Sequence, residues 1–421
     1  MAAYVRSIDP HHHPVSIHPT DMSRTNVTDP GVLDFEMLQT GHSDWASVPN
    51  TLALLKRSRE AKPTMPTVDA EVCYEGILGT CHDDVVRFMT WTCLLHGTAG
   101  HTYGANGIWQ VNGRQVPYGR SPHGGNWGNT PWDEAMALPG SGQAGMAKRL
   151  LASLDWYHFE PHPEWAMYAE ELPSEKPAWG HWIWYPEGDP AADAPVAKRY
   201  FRKAFELPVG RKLRGVLWLS VDDRFSAYLN GKPVGSRLGW GTLQPIDVTA
   251  LLRPGRNVLA VEGENLPAPV KANPAGLVCS LRVDAGEKQI IDVGSDSTWL
   301  ASKEAPADWA GPSFDDREWK AAKDLGAFGR QPWGEIKASP SYGPYAAGIP
   351  GKVRVIYVPS PRAVRLIGLE MDGRYRLEIF DPADGSRREL GPARVGTDGS
   401  LRVEKSGGTT NDWVVIVEAV E

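Results

Sequence analysis

Two glutamates at the end of a short apolar segment, Glu71 and Glu75, are the residues best suited to acid–base chemistry in this sequence. Residues 66–76 have the composition of a β-strand. Alternate side chains of an extended chain share a face, which places on one face Asp69, Glu71, Cys73 and Glu75. Barrels of alternating strands and helices keep their catalytic groups at the carboxyl ends of their parallel strands. The same residues also fit a charged strand end that only faces water, so their neighbours decide between the two interpretations.

Residues 1–160 alternate short apolar strands with helical stretches, a pattern typical of a parallel sheet covered by helices. The predicted strands cover residues 14–19, 34–42, 66–76 and 99–103. The predicted helices cover residues 48–60, a stretch from a Thr80 cap to Gly97, and residues 145–156. Four such units are half of an eight-stranded barrel, so we predict a partial (β/α)8 TIM barrel. Because half a barrel has two unpaired sheet edges, we expect self-association or a partner chain that completes it.

Further polar and aromatic side chains surround the two glutamates in this prediction. Four polar residues fall at predicted strand ends, where a barrel would bring them to one rim: His18, Gln39, His42 and His101. Imidazole and amide groups suit the hydroxyl groups of a sugar, and Glu75 could bind one or orient Glu71. Three aromatic residues offer a surface on which a sugar ring can stack: Tyr74, Tyr103 and Trp109. Each of them also fits a structural role, as a hydrogen bond in the core or a loop, or as an aromatic core residue.

The remainder of the chain has an all-β pattern. Residues 174–336 alternate strands with tight turns, and Asn230-Gly231 is a strong hairpin signal because both residues tolerate positive φ. We predict a β-sandwich here. Residues 343–421 read as a smaller β-sandwich, which can also include strand residues from 161–172. The predicted fold class is therefore a multidomain protein with one α/β part and two all-β parts.

Composition and charge argue against nucleic acid as a partner and against a membrane-spanning segment. The 421 residues include 44 basic and 51 acidic side chains, a formal charge of -7, which argues against a nucleic-acid partner. No apolar run is long enough to span a membrane, and the first residues do not resemble a secretory signal. Seventeen Trp residues provide aromatic faces for flat ligands, although most are expected in the core. Four Cys are too few to predict a disulfide framework.

Two short motifs resemble a metal site and a dinucleotide-binding site, but neither has the neighbours that such a site requires. His11, His12 and His13 are adjacent, so they cannot easily face one ion, and no spaced partner completes a zinc pattern. Residues 140–145 match GxGxxG, but no strand precedes them, so we interpret them as a helix entry and expect no dinucleotide. We predict no metal and no cofactor.

An ordered set of motifs resembles the second half, strands 5–8, of the barrel of apiosidase-like glycoside hydrolases. It covers roughly residues 1–160 and consists of Ile8-Asp-Pro-His11, Ser16-Ile-His-Pro19, residues 33–42, Glu71-Val-Cys-Tyr-Glu75, Gly100-His-Thr-Tyr-Gly104 with Ile108-Trp109, and Leu138-Pro-Gly140. Residues 182–186 and 255–261 of the middle region resemble the galactose-binding-like jelly rolls of β-galactosidases and rhamnosidases. The end of the chain, with Phe380-Asp-Pro382 and Asp412-Trp413, is similar to a collagen-binding-type β-domain that commonly follows such barrels.

The resemblance implies a retaining glycosidase that hydrolyses a plant or microbial polysaccharide, with Glu71 as its strand-7 nucleophile. Retaining glycosidases use a second carboxyl group as acid. In this family that acid follows strand 4, usually in a Gly-Gly-Asp segment, which would lie upstream of Met1. We therefore expect a truncated form of a longer enzyme, with an extracellular or periplasmic location implied by the family. A non-catalytic glycan-binding protein with a vestigial half barrel is the alternative.

Overall fold

The chain divides into two compact units in the computed structural model. One unit contains residues 1–170 and 342–421, and the other contains residues 171–341. The regions predicted as separate first and last domains, residues 1–160 and 343–421, thus lie in the same unit. None of the described helices is both long enough and apolar enough to cross a bilayer. The structure describes every residue except 120–126, 173–177, 244, 268–270, 339–340, 371–372, 394, 407–410 and 421.

A three-stranded parallel sheet forms the start of the first unit. Its strands, in spatial order, are β1 (Glu36–Gln39), β2 (Thr67–Glu71) and β3 (Gly100–His101). The helices of this unit are α1 (Ala2–Ile8), α2 (Val48–Glu60), α3 (Asp83–Leu95), α4 (Trp132–Ala135) and α5 (Pro139–Ala152). Because α2 links β1 to β2 and α3 links β2 to β3, the predicted alternation of strand and helix is present. The half barrel itself stays a prediction, since the described sheet has three strands rather than four.

The predicted first strand, residues 14–19, is wrong. Its two ends are Pro14 and Pro19, which lack the N–H group that a sheet ladder requires. The Val15 N–H donates instead to the Asp34 carboxylate at 2.6 Å, and the Ser16 hydroxyl donates to Phe35 O at 2.7 Å. The segment is therefore held beside the start of β1 mainly by side-chain hydrogen bonds.

A shift of register separates Asp69 from Glu71 on β2. Leu38 pairs with Asp69, but the next residue of β1, Gln39, pairs with Glu71, so β2 has one extra residue at this point. An extra residue reverses the alternation of faces. Asp69 is consequently buried against α3, where Cys93 Sγ donates to its Oδ2 at 3.1 Å. The prediction of one shared carboxylate face is wrong for this pair.

Helix α3 is buried on almost all sides. Ten of its thirteen residues are buried, which is typical of a helix covered on two faces. Asp83 and Asp84 lie in its first turn, where carboxylates favour a helix start, and Gly97 follows it with a φ of 85°. The predicted cap is wrong, because the helix begins after His82 and the Thr80 hydroxyl donates to Ile77 O.

Helix α5 begins earlier than predicted, at Pro139 rather than Gly145. Proline favours the first helical position because its φ is already helical and its missing N–H would be unpaired there. The glycines of residues 140–145 therefore lie inside the helix rather than before it. Another unpredicted feature precedes α3, where Cys73 and Cys81 form a disulfide.

The first unit then contributes two short strands, β4 (Glu160–Pro161) and β5 (Ala166–Tyr168), before the chain enters the second unit. The strands of the second unit are β6 (His181–Trp184), β7 (Ala197–Leu207), β8 (Arg214–Asp222), β9 (Arg224–Leu229), β10 (Lys232–Leu238), β11 (Thr242–Leu243), β12 (Ile246–Asp247), β13 (Gly255–Asn265), β14 (Gly276–Asp284), β15 (Ile290–Gly294), β16 (Leu300–Ser302), β17 (Lys320–Ala321), β18 (Lys323–Ala327) and β19 (Lys337–Ala338). One sheet has the order β10-β9-β13-β7-β16-β17. The other has the order β12-β8-β14-β6-β18, with β15 beside β14, and β11 pairs with β19.

The two large sheets of the second unit are antiparallel and share one apolar core. Trp182 of β6 stacks on Trp333 with ring centroids 4.2 Å apart, and both are buried. The hairpin predicted at Asn230 and Gly231 is confirmed, since these residues have φ values of 55° and 79° between β9 and β10. The finer jelly-roll assignment stays a prediction.

The last strands return the chain to the first unit. They are β20 (Tyr345–Ile349), β21 (Val353–Val358), β22 (Val364–Leu366), β23 (Arg374–Phe380), β24 (Arg387–Pro392), β25 (Leu401–Val403) and β26 (Trp413–Val420). They form the sheets β24-β23-β26-β21-β20-β4 and β25-β22-β5. The first of these sheets shares a core with α3 and α5. Arg87 of α3 donates to Asp412 at 2.9 and 3.2 Å, and both side chains are buried. This ion pair joins the helices to the sheet.

Candidate active site

Two histidines hold the carboxylate of Glu71 at the end of β2. His42 Nε2 lies 2.8 Å from Oε1, and His18 Nε2 lies 3.1 Å from Oε2. The Glu71 side chain remains 18% exposed, and that of His18 is 43% exposed. Each carboxylate oxygen therefore has its own imidazole, and the group is still open to solvent.

These contacts favour the ionised form of Glu71. The hydrogen bond from His42 lowers the pKa of the Glu71 carboxyl, and the Tyr74 hydroxyl and the charges of both imidazoles act in the same direction against partial burial. Burial and the neighbouring carboxylate raise the pKa of Tyr74, which keeps its proton available as a donor. Glu71 is thus an accessible carboxylate held in its charged state.

The shape of the backbone fixes the ring beside Glu71. The rings of Tyr74 and His42 have centroids 4.6 Å apart. Gly104 allows this position, because a Cβ at residue 104 would lie 2.2 Å from the Tyr74 ring. Gln39 pairs with Glu71 across β1 and β2. The structure therefore brings His18, Gln39, His42 and Tyr74 to the end of β2 around Glu71.

Glu75 has a different environment, although it is only four residues away. Its side chain is buried, and Tyr103 Oη donates to its Oε2 at 2.6 Å. The backbone N–H of Gly140, in the first turn of α5, donates to both carboxylate oxygens at 3.0 and 3.2 Å. A helix N-terminus is a favourable place for a carboxylate. The hydrogen-bonding groups of Glu75 are therefore occupied by protein groups.

Burial dominates the electrostatics of Glu75. It raises the pKa of the carboxyl, with a further contribution from the charge of Asp83, while the hydrogen bonds from Tyr103 and Gly140 oppose the rise. The Tyr103 hydroxyl is used in its hydrogen bond to Glu75, so it is bound to Glu75 rather than available beside Glu71. The roles of both residues toward a sugar remain predictions.

His101 and Trp109 lie apart from the contacts made by Glu71. His101 Nε2 is 3.2 Å from the Thr90 hydroxyl of α3, and burial lowers the pKa of this imidazole to about 4. Its strand partner is Asp69. Trp109 is 47% exposed, and its ring contacts Tyr118 at a centroid distance of 5.4 Å. The sequence placed both residues near the rim, but it could not predict the direction of their side chains.

Two glycines that shape the site were missed as functional residues. A Cβ at Gly140 would lie 2.5 Å from Glu75 Oε2, so only glycine lets α5 approach this carboxylate. Gly104 plays the corresponding part for Tyr74. Both glycines stand in the motifs that carried the family resemblance, which was the available signal.

The family resemblance predicted from the sequence is confirmed for the first part of the chain. Residues 1–158 match the family model described as apiosidase-like, catalytic domain.

A curated relative, an alpha-L-rhamnosidase of Streptomyces avermitilis, is 38% identical over 165 residues, which are 37% of this chain and 15% of that protein. This chain therefore corresponds to a small part of that relative's length.

Solved structures of carbohydrate-active proteins also resemble the chain at low similarity. The alpha-L-rhamnosidase of Streptomyces avermitilis complexed with L-rhamnose has a TM-score of 0.36 at 25% identity, covering 57% of this chain and 23% of that one. A glycoside hydrolase family 5 protein from Bacteroides vulgatus has a TM-score of 0.48 at 14% identity, covering 99% and 57%. A lectin from Pleurotus ostreatus in complex with GalNAc has a TM-score of 0.39 at 22% identity, covering 60% and 78%.

Proposed function

We propose that this chain, whose residues 1–158 match the apiosidase-like catalytic domain, is part of a glycoside hydrolase in which Glu71 is the nucleophile. The reaction is hydrolysis of an O-glycosidic bond in a plant or microbial polysaccharide. In a retaining mechanism, the nucleophile must be ionised and must reach the anomeric carbon. No cofactor takes part in this chemistry.

The observation that carries the proposal is the pair of imidazoles on one accessible carboxylate. His42 and His18 lie 2.8 and 3.1 Å from the two oxygens of Glu71, and the pKa of this carboxyl is lowered. A purely structural carboxylate would be expected to be either buried and paired or fully solvated. Glu71 is neither, because it is oriented by two donors and still 18% exposed.

Neither of the carboxylates next to Glu71 in the sequence is free to act as the general acid of the proposed reaction. Retaining glycosidases hold the two carboxyl groups about 5 Å apart. Asp69 and Glu75, the carboxylates on either side of Glu71 in the sequence, are both buried and accept hydrogen bonds from the protein. We therefore propose that the acid belongs to a longer form of the protein, in the first half of a (β/α)8 barrel.

The groups around Glu71 suit a sugar as the ligand. His18 lies against Glu71, Gln39 ends β1 beside Glu71, and the partly buried Tyr74 offers a ring. A hydroxylated substrate would form hydrogen bonds with the first two and pack against the third. The names of the relatives suggest L-rhamnose and apiose as the first sugars to test.

A non-catalytic glycan-binding protein is the second candidate, because both carboxylates that flank Glu71 are buried. In that case, the sandwich of residues 171–341 binds the sugar and Glu71 only orients its neighbours. The two candidates differ in one measurable event. A nucleophile forms a covalent bond to the anomeric carbon, and a binding residue does not.

Covalent trapping tests the nucleophile without requiring an acid. In a 2,4-dinitrophenyl 2-deoxy-2-fluoroglycoside, the leaving group departs as a stable phenolate, so no proton donor is needed for the first step. Glu71 attacks the anomeric carbon, the bond to the dinitrophenolate oxygen breaks, and an ester with the sugar remains. We expect a panel that includes L-rhamnose and apiose derivatives to give one adduct, located on Glu71 by peptide mass spectrometry.

Three comparisons make the trapping decisive. Glu71→Gln should give no adduct, whereas a folded Glu75→Gln variant should still be labelled. A version of the protein extended upstream should hydrolyse unactivated glycosides that the 421-residue chain leaves intact. An adduct on another residue contradicts the assignment of Glu71, and reversible glycan binding without any adduct favours the second candidate.

A further inference from the structure

We propose that Asp69, Cys93 and His101 form a binding site for one Zn²⁺ ion between β2, α3 and β3. One potential ligand atom of each residue lies within 4.8 Å of those of the other two. The three residues come from three consecutive elements of the chain. The register of the parallel sheet places His101 directly beside Asp69, and α3 brings Cys93 over both.

The cluster has buried polar atoms that the protein satisfies only in part. Cys93 Sγ donates to Asp69 Oδ2, and the Thr40 hydroxyl also interacts with this carboxylate. Asp69 Oδ1 and His101 Nδ1 are buried and make no hydrogen bond of normal geometry with the described residues. Buried polar atoms without partners are rare in folded proteins and call for an explanation. A cation bound between these groups would satisfy the carboxylate oxygen and the ring nitrogen together.

The hydrogen bonds around His101 leave one ring nitrogen ready for a metal. The Thr90 hydroxyl donates to Val86 O at 2.8 Å, so it can only accept from the imidazole, which lies 3.2 Å away at Nε2. The proton of the neutral ring therefore sits on Nε2, and Nδ1 keeps its lone pair. A metal-binding histidine is typically oriented in this way, by a hydrogen bond from its other nitrogen.

The donor set selects the kind of metal. One thiolate, one imidazole and one carboxylate suit Zn²⁺, whereas Ca²⁺ and Mg²⁺ prefer oxygen ligands only. On binding, Zn²⁺ displaces the thiol proton of Cys93 and any proton on Asp69, which leave to solvent. The two resulting negative charges balance the ion, so the buried complex is neutral. Water would fill the fourth position of a tetrahedral site.

The position of the site gives it a structural task. An ion at this point would clamp both ends of the segment that runs from β2 through α3 to β3. Glu71 is two residues from Asp69, so the clamp would also fix the end of β2 that carries Glu71. The proposal is independent of catalysis, because the hydrogen bonds of Asp69, Cys93 and His101 described above do not involve Glu71.

Cobalt absorption tests the site directly in the whole chain. Co²⁺ is a probe for Zn²⁺ sites, and a thiolate bound to it produces a charge-transfer band in the near ultraviolet. Of the four cysteines, Cys73 and Cys81 form a disulfide, so the band must come from Cys93 or Cys279. After treatment with a chelator, we expect one equivalent of Co²⁺ to produce the band and one equivalent of Zn²⁺ to remove it.

Matched variants identify the ligands. Cys93→Ser should abolish the band, whereas Cys279→Ser, which removes the other buried free thiol, should leave it unchanged. His101→Ala should weaken Co²⁺ binding by more than about 100-fold, because even the loss of an outer-shell partner costs roughly 10–100-fold. A band that survives in Cys93→Ser, or one that disappears in Cys279→Ser, overturns the proposal.

Thermal unfolding of the unmodified chain covers the case in which the variants fail to fold. Bound Zn²⁺ should raise the melting temperature, and the chelator should reverse the rise, because a ligand that binds only the folded state stabilises it. If the wild-type chain shows neither the cobalt band nor a Zn²⁺-dependent melting temperature, the cluster is not a metal site.

Discussion

Glu71 and Glu75 are four residues apart at the same end of β2, but they differ in solvent exposure and in their hydrogen-bond partners. Glu71 is partly exposed and has two imidazoles and a phenol as partners. Glu75 is buried beneath Tyr103 and the first turn of α5. The pKa of the first carboxyl is lowered by hydrogen bonding, and that of the second is raised by burial.

The contrast shows that a position at a strand end does not decide what a carboxylate does. Solvent access and the kind of donor decide it. Partly exposed side chains with polar tips can hold Glu71 and still leave it open to a ligand, whereas the backbone N–H of a helix is part of the scaffold. This contrast supports our proposal that Glu71 carries the chemistry, whereas Glu75 anchors α5.

The largest difference between the two carboxylates should appear in reactivity. We expect Glu71→Gln to slow the reaction with an activated aryl glycoside on the order of 1,000-fold or more, as removal of a nucleophile does in other enzymes. A folded Glu75→Gln variant should change the rate by less than about tenfold, since Glu75 acts through the scaffold. Release of dinitrophenolate measures both. Equal losses in the two folded variants would abolish the distinction.

The anchoring of α5 can be broken by one methyl group. In Gly140→Ala, the new Cβ would lie 2.5 Å from Glu75 Oε2 and 2.9 Å from Val86 Cγ1. We expect this overpacking to lower the free energy of unfolding by about 1–3 kcal/mol, measured by urea denaturation.

Gly142→Ala is the matched control for that change. It lies in the same helix, and its Cβ would meet nothing within 4 Å. Alanine should stabilise this position by up to about 1 kcal/mol because it favours helix. If the two substitutions had the same effect, the close approach of α5 to Glu75 would not be a constraint.

Removal of single hydroxyl groups should have smaller effects that again differ between the two sites. Tyr103→Phe leaves the buried Glu75 without its 2.6 Å donor, which we expect to cost about 1–2 kcal/mol of unfolding free energy. Tyr74→Phe removes a donor from the partly exposed Glu71, where water can replace it, and should cost less than about 1 kcal/mol. The same denaturation measurement ranks the two variants, and the reverse order would contradict our account of burial.

The sequence predicted the helices and strands of this region better than their register and their contacts with one another. Helix α2 has the bounds predicted for it, 48–60, because apolar spacing along one helix is a local property. The extra residue of β2 that turns Asp69 away from Glu71 depends on pairing with β1, which no local pattern encodes. His18 and His42 were expected at the strand ends near Glu71. Their interactions with its two carboxylate oxygens are tertiary contacts, which the sequence did not predict. The common core of the first and last regions rests on contacts such as Arg87 to Asp412, which are 325 residues apart.

The smallest and most specific effect should be a difference in the sign of pH dependence. The pKa of Glu71 is lowered in the folded state, so its contribution to stability is complete above the unfolded pKa and is lost as pH falls through the folded pKa. The pKa of Glu75 is raised, so its contribution is complete below the unfolded pKa and is lost as pH rises through the folded pKa. The difference in melting temperature between wild type and Glu71→Gln should therefore grow between about pH 3 and 7, the range in which carboxyl groups titrate. The same difference for Glu75→Gln should shrink over this range, and differences that run in parallel would mean that the two carboxylates share one environment.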